Sequence, residues 1–131
     1  MNETLPRFNI LIPLYNEQEN IQLLRQRLSA LMDHHSEKSI SVIFVDDGST
    51  DQTAAMLRGI CEQDFRFQYV GLSRNFGHQK ALSAGLSCVN ATEAVMIMDG
   101  DLQDPPEMLN TFLDYLAQGY EVVYAVREKR Q

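Results

Sequence analysis

Positive charge is in short supply in this chain: 11 lysines and arginines face 18 aspartates and glutamates, a formal net charge of −7. A balance of that sign argues against non-specific nucleic-acid binding and leaves no basic face for an anionic membrane surface. Cysteine is scarce as well. Cys61 and Cys88 lack metal-ligand spacing, and both fall in segments of helical pattern. They are expected to be buried thiols in a reducing compartment rather than a disulfide. No apolar run approaches the roughly 18 residues of a membrane span, and no signal peptide is evident. Internal repeats, low-complexity tracts, interdomain linkers and a dinucleotide-type glycine fingerprint are missing too. The expectation is one soluble domain, cytoplasmic as given. With 131 residues it can bury roughly two-thirds of its unfolded surface.

What is present is an alternation of short β-rich runs with longer helical ones. Strands are predicted at Asn9–Pro13, Val42–Asp46, Gln68–Leu72, Ala94–Met98 and Glu121–Val126. Helices are predicted at about Glu17–Met32, Asp51–Cys61, Gly77–Val89 and Pro106–Gln118. In the first of these, Ile21, Leu24, Leu28 and Leu31 share one face at amphipathic spacing. Asn16 with Glu19, and Ser49 with Gln52, fit helix caps followed three positions later by an acid or amide. Asp104-Pro105-Pro106-Glu107 reads as another helix start, and Gly119 as a stop. Strands separated by helices imply right-handed crossovers, hence an α/β fold with a mostly parallel sheet and helices on both faces.

In open α/β sheets, ligands bind beyond the carboxyl ends of the strands. The residues there form a coherent set. Tyr15, Asn16 and Glu17 follow the first predicted strand, and Asp46, Asp47, Gly48 and Ser49 the second. The third leads to Arg74, Asn75 and Gly77, the fourth to Asp99, Asp101 and Gln103, and the fifth to Arg127 and Arg130. Asp99-Gly100-Asp101-Leu102-Gln103 is the most telling stretch. Two carboxylates and an amide oxygen at alternate positions past a buried strand can converge on a hard divalent cation such as Mg²⁺ or Mn²⁺. Arginines on the same rim would neutralise phosphate oxygens, so the rim suits a metal-bound, phosphate-bearing ligand.

Plainer roles compete at several positions. Asp47 and Ser49 also fit caps of the following helix, and Asp104 reads as a cap rather than a metal ligand. Gly48 and Gly77 fit simple turns. Arg74 could face solvent, and Arg127-Glu128-Lys129-Arg130 could be a solvated charged end. Tyr15 fits either an edge aromatic or a stacking wall for a base. His34 and His35 read as surface residues, and His78 as structural. Asp99 and Asp101 resist such a reading, because two acids closing a buried strand are costly without a partner.

Four segments occur in order: Ile12-Pro13-Leu14-Tyr15-Asn16-Glu17, Val45-Asp46-Asp47-Gly48-Ser49-Thr50-Asp51, Ser73-Arg74-Asn75-Phe76-Gly77 and Met98-Asp99-Gly100-Asp101-Leu102-Gln103-Asp104-Pro105-Pro106-Glu107. Together they resemble family 2 glycosyltransferases, in particular the branch of dolichyl- and undecaprenyl-phosphate sugar transferases. Tyr120 to Arg127, with Arg130, looks like that branch's next motif. The resemblance implies a Rossmann-like GT-A nucleotide-diphospho-sugar transferase fold. It also implies inverting, metal-dependent transfer of a sugar from a UDP- or GDP-linked donor to an acceptor, a polyprenyl phosphate in this branch. By position, Pro13, Tyr15, Glu17 and Asp46 match nucleotide-base and ribose contacts, with Asp47 beside them, and Asp99 matches the donor-side acid. Asp99 and Asp101 are the catalytic candidates. Asp101 and Gln103 match the ligands of the Mg²⁺ or Mn²⁺ bridging the diphosphate. Arg127 and Arg130 match residues facing phosphates of donor or acceptor, and Arg74, by its place on the same rim, is a further phosphate candidate.

Two departures stand out. Glycine at 100 replaces the alanine common in that branch, a small change. The larger one is length: relatives continue well past Arg130 with acceptor-side and often membrane segments. Residues 1–131 are therefore expected to be the nucleotide-sugar-binding part of a larger enzyme whose parent sits at the cytoplasmic face of the membrane. An exposed sheet edge would favour self-association into a homo-oligomer. One alternative is a nucleotide-binding or assembly module without turnover. Another is a phosphoacceptor receiver domain, whose acidic pair would instead follow the first strand.

Overall fold

In a computed structural model, residues 7–91, 93–102 and 105–118 are described. Their strands are β1 (Arg7–Leu14), β2 (Ser39–Asp46), β3 (Phe67–Gly71) and β4 (Ala94–Ile97). Their helices are α1 (Ile21–His34), α2 (Thr53–Gln63), α3 (His78–Leu86) and α4 (Met108–Ala117). The sheet is parallel throughout, in the order β3-β2-β1-β4. That order separates the chain from the receiver-type fold, whose strands run 2-1-3-4-5. The predicted strand Glu121–Val126 and the predicted stop at Gly119 lie outside the described residues.

The central strands are apolar almost without alternation because both of their faces are covered. Phe8, Ile10, Ile12 and Leu14 of β1, with Ile40, Val42 and Phe44 of β2, face α1, α2 and α4. Phe44 also stacks on Phe67 of β3, with ring centroids 5.5 Å apart. The intervening Leu11, Ile43 and Val45 face α3 through Ala81. On α1 the buried residues are Ile21, Leu24, Leu28, Leu31 and Met32, the stripe the periodicity predicts. Truncating one of the fully buried leucines to alanine would cost about 2–5 kcal/mol. Arg27 pairs with Glu107, and the His35 ring bonds Asn110 Oδ1 at 2.6 Å, so the flank of α1 is tied to the α4 segment. No helix among the described residues is long and apolar enough to cross a membrane.

Four sequence expectations need correction. Helix α1 begins at Ile21, and neither Asn16 nor Ser49 caps a helix; both bond across loops instead. His35 is largely covered by its contact with α4 rather than open at the surface. Cys88 lies past the end of α3 and is exposed, not buried. Cys61 is partly buried, and burial pushes its thiol up to about 11.

For the site, register matters most. Arg7 opposes Ser39 and Leu14 opposes Asp46, so β1 and β2 end at one level. Gly71 opposes Asp46 on the other side. The loops that follow the strands therefore share one rim.

Candidate functional site

Two loops of that rim are stitched together. The Asn16 N–H donates to Ser49 Oγ at 2.9 Å, and Asn16 Oδ1 accepts the Thr50 N–H at 2.8 Å. The Glu17 N–H reaches Thr53 Oγ1 and the Gln52 N–H reaches Gln18 Oε1, at 2.9 and 3.0 Å. Asn16 sits at φ 51°, a left-handed conformation that asparagine tolerates better than most side chains. The turns after β1 and β2 thus form one rigid unit.

The loop after β3 is held by Asp47. This side chain is only 5% exposed, and its two oxygens accept the backbone N–H groups of Phe76 and Gly77 at 2.8 and 3.1 Å. Its bonds go to the turn that opens α3 rather than to α2, so a cap on the helix after β2 is not what it forms. Gly48, at φ +73°, brings the crossing loop in close. A Cβ there would lie 2.6 Å from Arg74 Cα and closer still to the Arg74–Asn75 peptide. More than a simple turn glycine, it is the point where the second and third loops cross. Above it, the Arg74 guanidinium lies 4.5 Å from the Phe76 ring centroid.

Between these loops opens a cleft of about 470 Å³, lined by Tyr15, Asp46, Gly48, Arg58, Tyr69 and Arg74 among others. Asp46 is buried at its base. Its Oδ1 accepts the Ser49 N–H at 3.2 Å and its Oδ2 the Tyr69 hydroxyl at 3.4 Å. Burial first, and then the charge of Asp46, push the Tyr69 phenol above its ordinary range, so it remains a donor. Tyr15, 43% exposed, also borders a smaller hollow of about 250 Å³ with Pro13, Asp47 and His78. Glu17 lies outside the lining of both hollows, and its carboxylate accepts from Asn20 Nδ2 at 2.8 Å.

Asp99 and Asp101 follow β4, which pairs with β1, so they flank Tyr15 on the side away from the larger cleft. Both are half-buried. Between them Gly100 is buried, and a Cβ there would run into the Leu14 side chain. Glycine at 100 therefore leaves room for the Leu14 side chain of β1, which would have to shift to admit alanine. Leu102 next door has φ 66°, a strained conformation for a branched side chain and one that clusters at functional sites. Among the described residues no group of three or more His, Cys, Asp or Glu gathers as a cation cage. Gln103, Asp104, Arg127 and Arg130 lie outside the described residues.

The structure thus brings Tyr15, Asp46 and Arg74 around one cleft, with Pro13 and Asp47 behind it and Asp99 and Asp101 on its β1 flank. Tyr69 and Arg58 are lining residues that sequence reasoning missed. Their signal was the position of Tyr69 two residues before the end of an edge strand, visible only once β3 is registered against Asp46.

The profile of the family described as Glycosyl transferase family 2 matches residues 9–131. Among curated proteins, the uncharacterized glycosyltransferase YkcC of Bacillus subtilis is 42% identical over 125 residues, covering 95% of this chain and 38% of that protein. The undecaprenyl-phosphate 4-deoxy-4-formamido-L-arabinose transferase of Edwardsiella ictaluri is 35% identical, over 98% of this chain and 39% of its own length. Among solved structures, the mannosyltransferase PcManGT from Pyrobaculum calidifontis, in complex with GDP-Man and Mn²⁺, superposes with a TM-score of 0.66 at 26% identity. That match covers 88% of this chain and 33% of PcManGT. The chain spans less than two-fifths of the length of these curated relatives.

Proposed function

The chain belongs to glycosyltransferase family 2, and we propose that its rim binds the nucleotide end of a nucleotide-sugar donor within an enzyme that glycosylates a polyprenyl phosphate. The observation that carries this reading is the convergence of Tyr15, Asp46 and Arg74, from three different strand ends, on one cleft of about 470 Å³. Its volume lies in the range of small-molecule sites. A π-face, a carboxylate acceptor and a guanidinium are the groups a base, its N–H edge and a diphosphate require. Arg74, lying over Phe76, would meet the diphosphate at the mouth of the cleft. Asp47, with both oxygens on backbone N–H groups, acts by holding the Arg74 loop rather than by touching the nucleotide.

The donor chemistry at the end of β4 fits Mg²⁺ or Mn²⁺. Two carboxylates suffice for a hard cation that takes its remaining ligands from substrate phosphates and water, and such sites are not all-protein cages. Asp101 would hold the ion, with Asp99 beside it and Gln103 completing the protein's share. When bound, the ion neutralises charge gathering on the departing nucleoside diphosphate. The polyprenyl phosphate of the proposed reaction is ionised at neutral pH, so the chain needs to position it rather than deprotonate it. Arg127 and Arg130 are the proposed contacts for donor or lipid phosphates, and attack from the face opposite the nucleotide would invert the anomeric centre. The Edwardsiella relative supports the lipid acceptor by its name, and PcManGT supports the metal by its bound Mn²⁺. A polyprenyl acceptor would place the parent enzyme at the cytoplasmic face of a membrane.

Calorimetric titration of the chain with UDP and with GDP, each with Mn²⁺ and with EDTA, tests the reading. It predicts binding of at least one nucleotide that weakens when the metal is chelated. A folded chain that binds neither would contradict it.

A further inference from the structure

Tyr69 and Arg58 have no place in the chemistry described so far, yet both line the larger cleft. Tyr69 stands on β3 opposite Phe44, two residues short of the position that opposes Asp46. Its ring lies along the strand toward the rim, over Gly71. A Cβ at Gly71 would sit 2.5 Å from the phenol oxygen and 2.9 Å from the ring, so only glycine leaves this path open. At the end of that path the hydroxyl meets Asp46 Oδ2 at 3.4 Å. Arg58, from α2, reaches the same hydroxyl through Nη1 at 3.5 Å, and its guanidinium carbon lies 5.6 Å from the ring centroid.

The direction of these bonds is fixed by chemistry. A guanidinium can only donate, so Arg58 occupies a lone pair of the phenol oxygen and leaves the phenol proton for Asp46. The Ser49 N–H holds the other carboxylate oxygen. Asp46 is thereby clamped at both oxygens, and each oxygen retains a lone pair to accept a further N–H. Arg58 carries additional N–H donors along the same wall. The cleft therefore offers a fixed anionic acceptor beside a cationic donor.

We propose that the Arg58–Tyr69 pair positions Asp46, and thereby sets how sharply the cleft distinguishes a base that presents a ring N–H flanked by a carbonyl, as uracil and guanine do, from cytosine and adenine. The proposal rests on the cleft being the nucleotide site. Asp46 takes the ring N–H and Arg58 faces the adjoining carbonyl. Cytosine and adenine put a ring-nitrogen lone pair against the carboxylate and an amino group against the guanidinium, so both contacts repel. Tyr69 is a positioning residue: without its hydroxyl, Asp46 Oδ2 loses its clamp and the discrimination falls.

The test is calorimetry of the whole chain with UDP, CDP, GDP and ADP in Mn²⁺, for the wild type, Tyr69→Phe and Gly71→Ala. The wild type should prefer UDP over CDP, or GDP over ADP, by at least about tenfold, because one edge leaves buried polar groups mismatched. Tyr69→Phe keeps the ring, and should cut that ratio to about threefold or less by weakening the preferred nucleotide alone. Gly71→Ala, which pushes the ring aside from a different position, should do the same. Wild-type ratios in folded variants would overturn the positioning role. Equal binding of all four nucleotides by the wild type would overturn the edge selection while leaving the nucleotide site standing. Binding of none would overturn the nucleotide site itself, and this inference with it.

Discussion

Replacing Asp47 by asparagine separates two roles for this residue, the ligand contact that the sequence suggests and the brace that the hydrogen bonds to Phe76 and Gly77 make. In the structure one carboxylate oxygen accepts the Phe76 N–H and the other the Gly77 N–H, at 2.8 and 3.1 Å, in a side chain 5% exposed. Asparagine retains one acceptor and turns an NH₂ toward the second N–H, so two donors meet and one backbone group is left without a partner. A hydrogen bond to a charged group contributes about 1.5–3 kcal/mol, and a buried unmatched donor costs about 1–3 kcal/mol. The two are not independent, and about 2–3 kcal/mol is the expected loss. With a urea slope of about 1–3 kcal/mol per M, the unfolding midpoint should drop by about 0.7–3 M. The released loop carries Arg74, so nucleoside diphosphate affinity should fall about tenfold while nucleoside affinity changes less than about threefold. Urea unfolding followed by circular dichroism, with calorimetry of UDP against uridine or GDP against guanosine, reads both quantities. An unchanged midpoint together with lost nucleoside binding would refute the brace and make Asp47 a direct contact.

Other expectations follow from the same geometry. Asp101→Asn should weaken metal-dependent nucleotide binding by at least about tenfold, because it removes a charged oxygen ligand, and titrations in Mn²⁺ and EDTA measure it. Arg74→Ala should weaken nucleoside diphosphate binding by about tenfold with little effect on the nucleoside; equal losses for both would assign Arg74 to the scaffold. Hydrogen bonds from the Arg66 guanidinium lower the Asp64 carboxyl below its ordinary value. A depressed carboxylate stabilises the fold fully above its unfolded pKa, about 3.9, and ceases to as pH falls through the folded value. Asp64→Asn should therefore cost about 1 kcal/mol at pH 7, and the gap to wild type in urea melts should narrow progressively below about pH 4.

Much of the fold was legible because its signals are local. Val42-Ile43-Phe44-Val45 reads as a buried strand, since a parallel strand covered on both faces has no polar side to show. The stripe on α1 needs only its own period. The rim residues were legible by one further step, since strand ends in an α/β sheet gather at one side. The errors arose where side chains choose distant partners. Asn16 and Ser49 have the local spacing of caps, yet each bonds across to the other's loop, 33 or 34 positions away, because β1 and β2 end together. Asp47 finds its partners 29 and 30 positions on, in the loop that crosses Gly48. The pairing of Tyr69 with Asp46 depends on the β2–β3 register, which the sequence of β3 alone does not specify.

The central claim, that one rim of this sheet binds the nucleoside diphosphate of a sugar donor, is tested most directly by mapping amide shifts of the labelled chain during titration with UDP or GDP in Mg²⁺. The account predicts that the largest changes cluster at Tyr15, Asp46, Tyr69, Arg74 and Asp101, on one end of the sheet. Changes centred instead on the hollow at the opposite end, beside Phe65 and Arg66, would contradict it.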